Sequence, residues 1–149
     1  MLPSFRDKPL RFVLDMTPFN DDATIISIGL LVHSRRLSVA WCVMPSQEQW
    51  TTGQWEIVAR LLDQVIAHLG PADWTLIADR GLVGAPLVKL CRDRHWHSLL
   101  RVCKEHTCRR QFGRRKRGTG WCRFEHFIQK KGQQWYGWAQ VWQDDSVQT

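Results

Sequence analysis

Apolar and polar positions follow two different periods along this chain, and the places where the period changes mark its elements. Residues 10–16 (LRFVLDM) form a short apolar run of β character that ends in the polar loop TPFNDD. Residues 24–33 are rich in β-branched side chains and too short for anything but a strand or a buried turn of helix. Beyond the separator Ser34-Arg35-Arg36, residues 37–44 form another β-rich run, so the three runs predict a meander that Pro45 ends. From 54 to 69 the pattern changes. Trp55, Val58, Leu61, Leu62, Val65, Ile66 and Leu69 recur at spacings of three and four, one face of an amphipathic helix stopped by Gly70-Pro71. Residues 74–78 are almost uninterruptedly apolar, the mark of a central strand covered on both faces, and they end at Asp79-Arg80-Gly81. A helix over 85–94, with Pro86 in its first turn, and a strand over 96–102 complete the run.

The predicted order is β-β-β-α-β-α-β, a mixed α/β sheet with helices packed on its faces. From Lys104 the texture becomes KEHTCRRQFGRRKRG, a basic segment with glycine breakers and little periodicity. Residues 121–129 and 134–141 read as two strands of a hairpin around Lys130-Lys131-Gly132-Gln133, outside the core order. Two segments follow, 1–103 as the core and 104–149 as a basic, Trp-rich β insertion.

Charge sharpens that division. The 149 residues carry a formal charge of +7, yet residues 1–100 hold ten basic and ten acidic side chains, so the whole excess lies beyond residue 100. A neutral core with a basic end points to a polyanionic partner, most often nucleic acid. Arg109, Arg110, Arg114, Arg115, Lys116 and Arg117, with Phe112 and Trp121 nearby, suit a DNA backbone, and a solvated basic loop is the bland alternative. No apolar run approaches the roughly 20 residues of a membrane span, and the N-terminal MLPSFRDKPLRF lacks a signal-peptide pattern. Five cysteines without a tight framework fit free thiols in a reducing, cytoplasmic setting. Cys103, His106, Cys108 and Cys122 have a spacing that is not usual for structural zinc, and read as buried or loop thiols. His95 and His97 flank Trp96 in strand-like alternation, on one face. The set Trp135, Trp138 and Trp142 reads as hairpin packing.

Candidate chemistry rests on Asp15, which closes the first predicted strand, and Asp79, which closes the fourth. If these strands are neighbours, two carboxylates meet at their ends, and divalent cations relieve the repulsion. Two such ions can activate an attacking oxygen and stabilise a leaving one in phosphoryl transfer. Either Asp alone is more simply a turn former bonded to its own backbone. Arg80, beside Asp79, reads equally as a phosphate contact or an ion-pair partner. Asp21 and Asp22 read as capping the loop into the second strand.

The stretches VLDMTPFNDDATIISIGLLVHSRRLSVAWCVM and WTLIADRGLVGAPLVKLCRDRHWHSLLRV resemble the catalytic core of bacterial insertion-sequence transposases of the DDE type. Asp15-Met16-Thr17 matches the family's D-x-T, Ala78-Asp79-Arg80-Gly81 its A-D-R-G/E, and Leu100-Arg101-Val102 its arginine-valine strand end. The resemblance covers about residues 10–103. It implies a ribonuclease H-like fold, Asp15 and Asp79 as catalytic metal ligands for two Mg²⁺ or Mn²⁺ ions, DNA as partner, and strand transfer as the reaction. It is also compatible with a homodimer of the full-length enzyme.

The family's third carboxylate, a Glu on a later helix in a Tyr…Arg…Glu…Lys pattern, has no match. Glu105 falls in the basic loop, Glu125 in a predicted strand, and Asp144 and Asp145 in a polar tail. The expectation is therefore a fragment of such an enzyme, inactive alone. Two alternatives stand beside it: a non-catalytic DNA-binding remnant, and a nuclease of the same fold, which would need a third acid.

Overall fold

In the computed structural model, the residues described are 9–46, 53–70, 73–111, 120–127, 130–134 and 138–141. The chain divides into two compact units, Met1–Arg101 and Val102–Thr149. The first is a mixed α/β unit. Its strands are β1 (Arg11–Phe19), β2 (Ala23–Val32), β3 (Arg35–Pro45), β4 (Thr75–Ala78) and β5 (His97–Leu100), with helices α1 (Gln54–Leu69) and α2 (Ala85–Arg92) between them. They form one five-stranded sheet in the order β3-β2-β1-β4-β5. The meander β1-β2-β3 is antiparallel, whereas β4 runs parallel to both β1 and β5.

Helix α1 has the predicted limits. Gly70, at φ 81°, ends it and donates its N–H to the Ile66 carbonyl at 2.7 Å. At the other end Gly53 offers a carbonyl to Glu56 N–H but no capping side chain. The face built from Ile57, Val58, Leu61, Leu62 and Val65 is fully buried. Against it lie Phe12, Leu14, Ile26, Ile28, Leu76 and Leu87, the inward-facing alternate residues of the sheet and of α2. Phe12, Trp74 and Trp96 form an aromatic cluster with ring centroids 5.1–5.3 Å apart. Arg94, two residues past α2, makes a bidentate bond to Asp63 of α1, at 2.8 and 3.0 Å, and donates to the Leu90 carbonyl of α2 at 3.1 Å.

Both helices lie on one face of the sheet, which corrects the expectation of helices on its faces. The reason is topological. The crossovers β3-α1-β4 and β4-α2-β5 step along the sheet in the same direction, and right-handed connections moving the same way deposit their helices on the same side. Strand β4 is consequently not covered on both faces: Leu76 and Ala78 are buried, but Thr75 and Ile77 are only half-buried. The opposite face leaves Trp41, Val43 and Leu99 about 60% exposed. His95 and His97 do not share a strand face either. His95 turns the chain at φ 58°, and only His97 enters β5.

The second unit departs more from expectation. Its sheet has the order β7-β6-β8, built from β6 (Thr107–Gln111), β7 (Cys122–Arg123) and β8 (Trp138–Val141). The hairpin predicted from 121–129 and 134–141 is corrected: β7 and β8 each pair with β6, not with one another. The central strand is hidden in the basic segment, because among its residues of described burial only Cys108 is fully buried. Glu125 lies in a short 3-10 helix, Phe124–His126, and not in a strand. Residues Arg114, Arg115, Lys116 and Arg117 lie outside the described residues, as do Trp135, Trp142, Asp144 and Asp145.

Candidate active site

The parallel pairing of β1 with β4 ends at Leu14↔Ala78. The next residue on each strand is an aspartate, Asp15 and Asp79. Neighbouring strands run about 4.8 Å apart and side chains alternate, so this register position belongs to the open face, away from the helices. One expectation needs refinement. Asp79 does follow the last residue of β4, but Asp15 sits mid-strand, opposite Ser27, because β1 continues to Phe19 in its hairpin with β2.

Each carboxylate is oriented through one oxygen. Asp15 Oδ2 accepts from Thr17 Oγ1 at 3.0 Å and from Arg36 Nη1 at 3.3 Å. Asp79 Oδ1 accepts the Arg80 backbone N–H at 2.8 Å, starting a 3-10 turn over Arg80–Leu82, and lies 3.8 Å from Arg101 Nη1. Among the described residues, Asp15 Oδ1 and Asp79 Oδ2 have no partner. Both side chains are open to water, Asp15 to 46% and Asp79 to 72%.

The sequence places Arg36 in a turn separator, but the turn is only His33-Ser34, and Arg36 lies in β3. Its side chain crosses β2 over Gly29 to reach β1. On the way, Nη2 bonds both the carbonyl at 3.1 Å and the hydroxyl of Ser27. This crossing needs a glycine, since a Cβ at Gly29 would collide with Cγ and Nε of Arg36. The guanidinium thereby covers Ser27, which is only 8% exposed although it faces the uncovered side. Arg36, Ser27 and Arg101 are the site neighbours that the sequence reading did not assign a role at the carboxylates. Arg36 pairs with Leu31, so Gly29 is its diagonal neighbour on β2, a signal that becomes usable only once the register is known.

The other sequence candidates are dispersed. The Arg80 side chain is exposed at the 3-10 turn. Arg109 and Arg110 lie in β6 of the second unit, with the Arg110 guanidinium 5.2 Å from the Phe127 ring centroid. Glu105 and Glu125 share Lys104, at 3.9 and 4.0 Å, and Glu125 also meets Arg123 at 3.4 Å. Asp21 and Asp22 stand in the β1–β2 turn, where Asp21 helps line a cavity of about 430 Å³ with Met16, Asn20, Thr24 and Ser46. No group of three or more His, Cys, Asp or Glu placed to hold a metal occurs among the described residues. The donor set is thus two carboxylates with one uncommitted oxygen each. That suits a hard cation which keeps waters and phosphate oxygens in its remaining positions. No helix among the described residues is long and apolar enough to cross a membrane.

No family model matches the chain, and no curated protein does. Among solved structures, it is similar to a chain of the simian T-cell lymphotropic virus intasome in complex with PP2A regulatory subunit B56 gamma. That match has a TM-score of 0.42 and 11% identity, and covers 61% of this chain and 33% of the other. It is also similar to the Aquifex aeolicus PPX-GPPA enzyme, with a TM-score of 0.31 and 9% identity, over 63% of this chain and 36% of that one. The chain therefore spans about a third of the length of each. Likenesses of this size decide neither fold family nor activity.

Proposed function

We propose that the chain carries part of the catalytic core of a DDE-type DNA transposase, with a ribonuclease H-like arrangement of its first unit. The observation that carries this reading is the placement of Asp15 and Asp79 at the first register position past Leu14↔Ala78, on adjacent parallel strands. The strand order β3-β2-β1-β4-β5 and the D-x-T and A-D-R-G contexts of the two residues support it. Asp15 Oδ1 and Asp79 Oδ2 would hold Mg²⁺ or Mn²⁺, which when bound supplies charge stabilisation for in-line phosphodiester displacement. The chain's own residues have simpler tasks. Thr17 and the Arg80 N–H fix the two carboxylates, while Arg36 and Arg101 keep their charges tolerable in each other's presence. Since no third carboxylate joins them among the described residues, the 149-residue chain alone is expected to bind cation and DNA but not to transfer strands.

One observation favours a second reading. Arg36 and Arg101 already stand against the two carboxylates, as they would in a non-catalytic DNA-binding remnant with a surface ion-pair network. DNA binding separates the two. The enzyme reading predicts that Mg²⁺ strengthens binding of a short duplex, and that Asp15→Asn or Asp79→Asn removes this gain. The remnant reading predicts binding that weakens with salt and ignores both substitutions. Mg²⁺-dependent strand transfer by this chain, lost in Asp79→Ala, would refute the expected inactivity.

A further inference from the structure

Cys108 and Cys122 are direct cross-strand partners in the antiparallel pair β6–β7. The Phe124 N–H donates to the His106 carbonyl at 3.1 Å, so His106–Phe124 is a hydrogen-bonded position, and Cys108–Cys122, two steps along, belongs to the same class. Cα atoms in such pairs lie about 5.5 Å apart, inside the span that a disulfide bridges. Both thiols are free. Burial and, after it, the neighbouring Cys122 push the Cys108 thiol up to about 11. The pair is not part of a metal cluster among the described residues.

We propose that Cys108 and Cys122 form a reversible disulfide when the protein meets a peroxide. Cys122 is the half-buried partner and Cys108 the fully buried one, so peroxide reaches Cys122 first. Its sulfur attacks one peroxide oxygen, the O–O bond breaks, and water leaves as Cys122 becomes a sulfenic acid. The Cys108 sulfur then attacks that sulfur, and the sulfenic oxygen departs as a second water, taking the Cys108 proton. Two thiols lose two electrons and two protons in all, and one peroxide is reduced to two waters. The bond would join the two ends of residues 109–121, the segment holding Arg109, Arg110 and the run 114–117. Its consequence is a covalent tie between β6 and β7 in oxidising conditions, in addition to their backbone pairing.

The test treats the intact chain with hydrogen peroxide, blocks remaining thiols with iodoacetamide in denaturant, and maps tryptic peptides by mass spectrometry. Cys108 and Cys122 fall in separate peptides, residues 105–109 and 118–123, so only a disulfide can join them. The expected result is that joined pair in monomeric protein, with loss of two of the five alkylatable thiols and full recovery after dithiothreitol. In Cys122→Ser, Cys108 should stay alkylatable at the same peroxide dose. Thiol loss without the joined pair, a bond to Cys103 in its place, a bond found only between chains, or equal oxidation of Cys108 in the variant would overturn the proposal.

Discussion

Replacing Arg36 by Met asks whether its guanidinium competes with a cation for Asp15. Met keeps the unbranched stem that lies over Gly29, but removes the charge 3.3 Å from Asp15 Oδ2. The Arg36 and Asp15 side chains are 30% and 46% exposed, so the pair belongs with solvent-screened bridges worth about 0.2–1 kcal/mol. If a divalent cation must give up that much to share Asp15, removing the arginine tightens binding by about 1.4- to 5-fold. Isothermal titration of Mn²⁺ at low ionic strength, where such terms are least screened, reads this difference. Asp15→Asn in the same background should remove the gain. Unchanged or weaker Mn²⁺ binding in Arg36→Met would refute competition at Asp15, and with it the view that Arg36 holds the carboxylate in a cation's stead.

Further outcomes follow from the packing. Gly29→Ala puts a methyl group into the Arg36 stem, so it should lower unfolding free energy in urea by about 1–2 kcal/mol, and by much less when Arg36 is already Ala. Leu62→Ala, fully buried on α1, should cost about 2–5 kcal/mol, whereas Trp41→Ser on the open face should change stability by about 0.5 kcal/mol or less. Burial pushes the Cys91 thiol up to about 12, partly countered by Arg94, so the fold favours the neutral thiol. Its contribution is intact below the unfolded value of about 8.5. As pH rises from there towards 12, stability should fall by up to about 1.4 kcal/mol per unit, a slope that flattens in Cys91→Ala when urea midpoints are compared at pH 7.5 and 10.5.

Legibility in the sequence followed how directly each feature depends on local pattern. Helix α1 could be delimited because its apolar stripe and Gly70 are both local signals. The first five strands could be placed for the same reason, within a few residues at their ends. Strand β6 could not, since its fully buried Cys108 sits beside arginines whose charge suggests a loop. The side on which the helices pack was hidden until the strand order was known, because handedness acts on the order and not on the residues. The two aspartates stood out by context, but their partners did not: Arg36 reaches Asp15 across β2 only because Gly29 and the register permit it. Likewise the left-handed turn at His95 overrode an alternation that otherwise reads as strand.

The central claim is that Asp15 and Asp79 act as one cation site, and a double-mutant cycle on Mn²⁺ affinity tests it most directly. If the site is shared, Asp15→Asn and Asp79→Asn should each weaken Mn²⁺ binding nearly as much as the double substitution does, with all three variants folded by circular dichroism. Losses that add independently, or binding that survives both substitutions, would contradict the account.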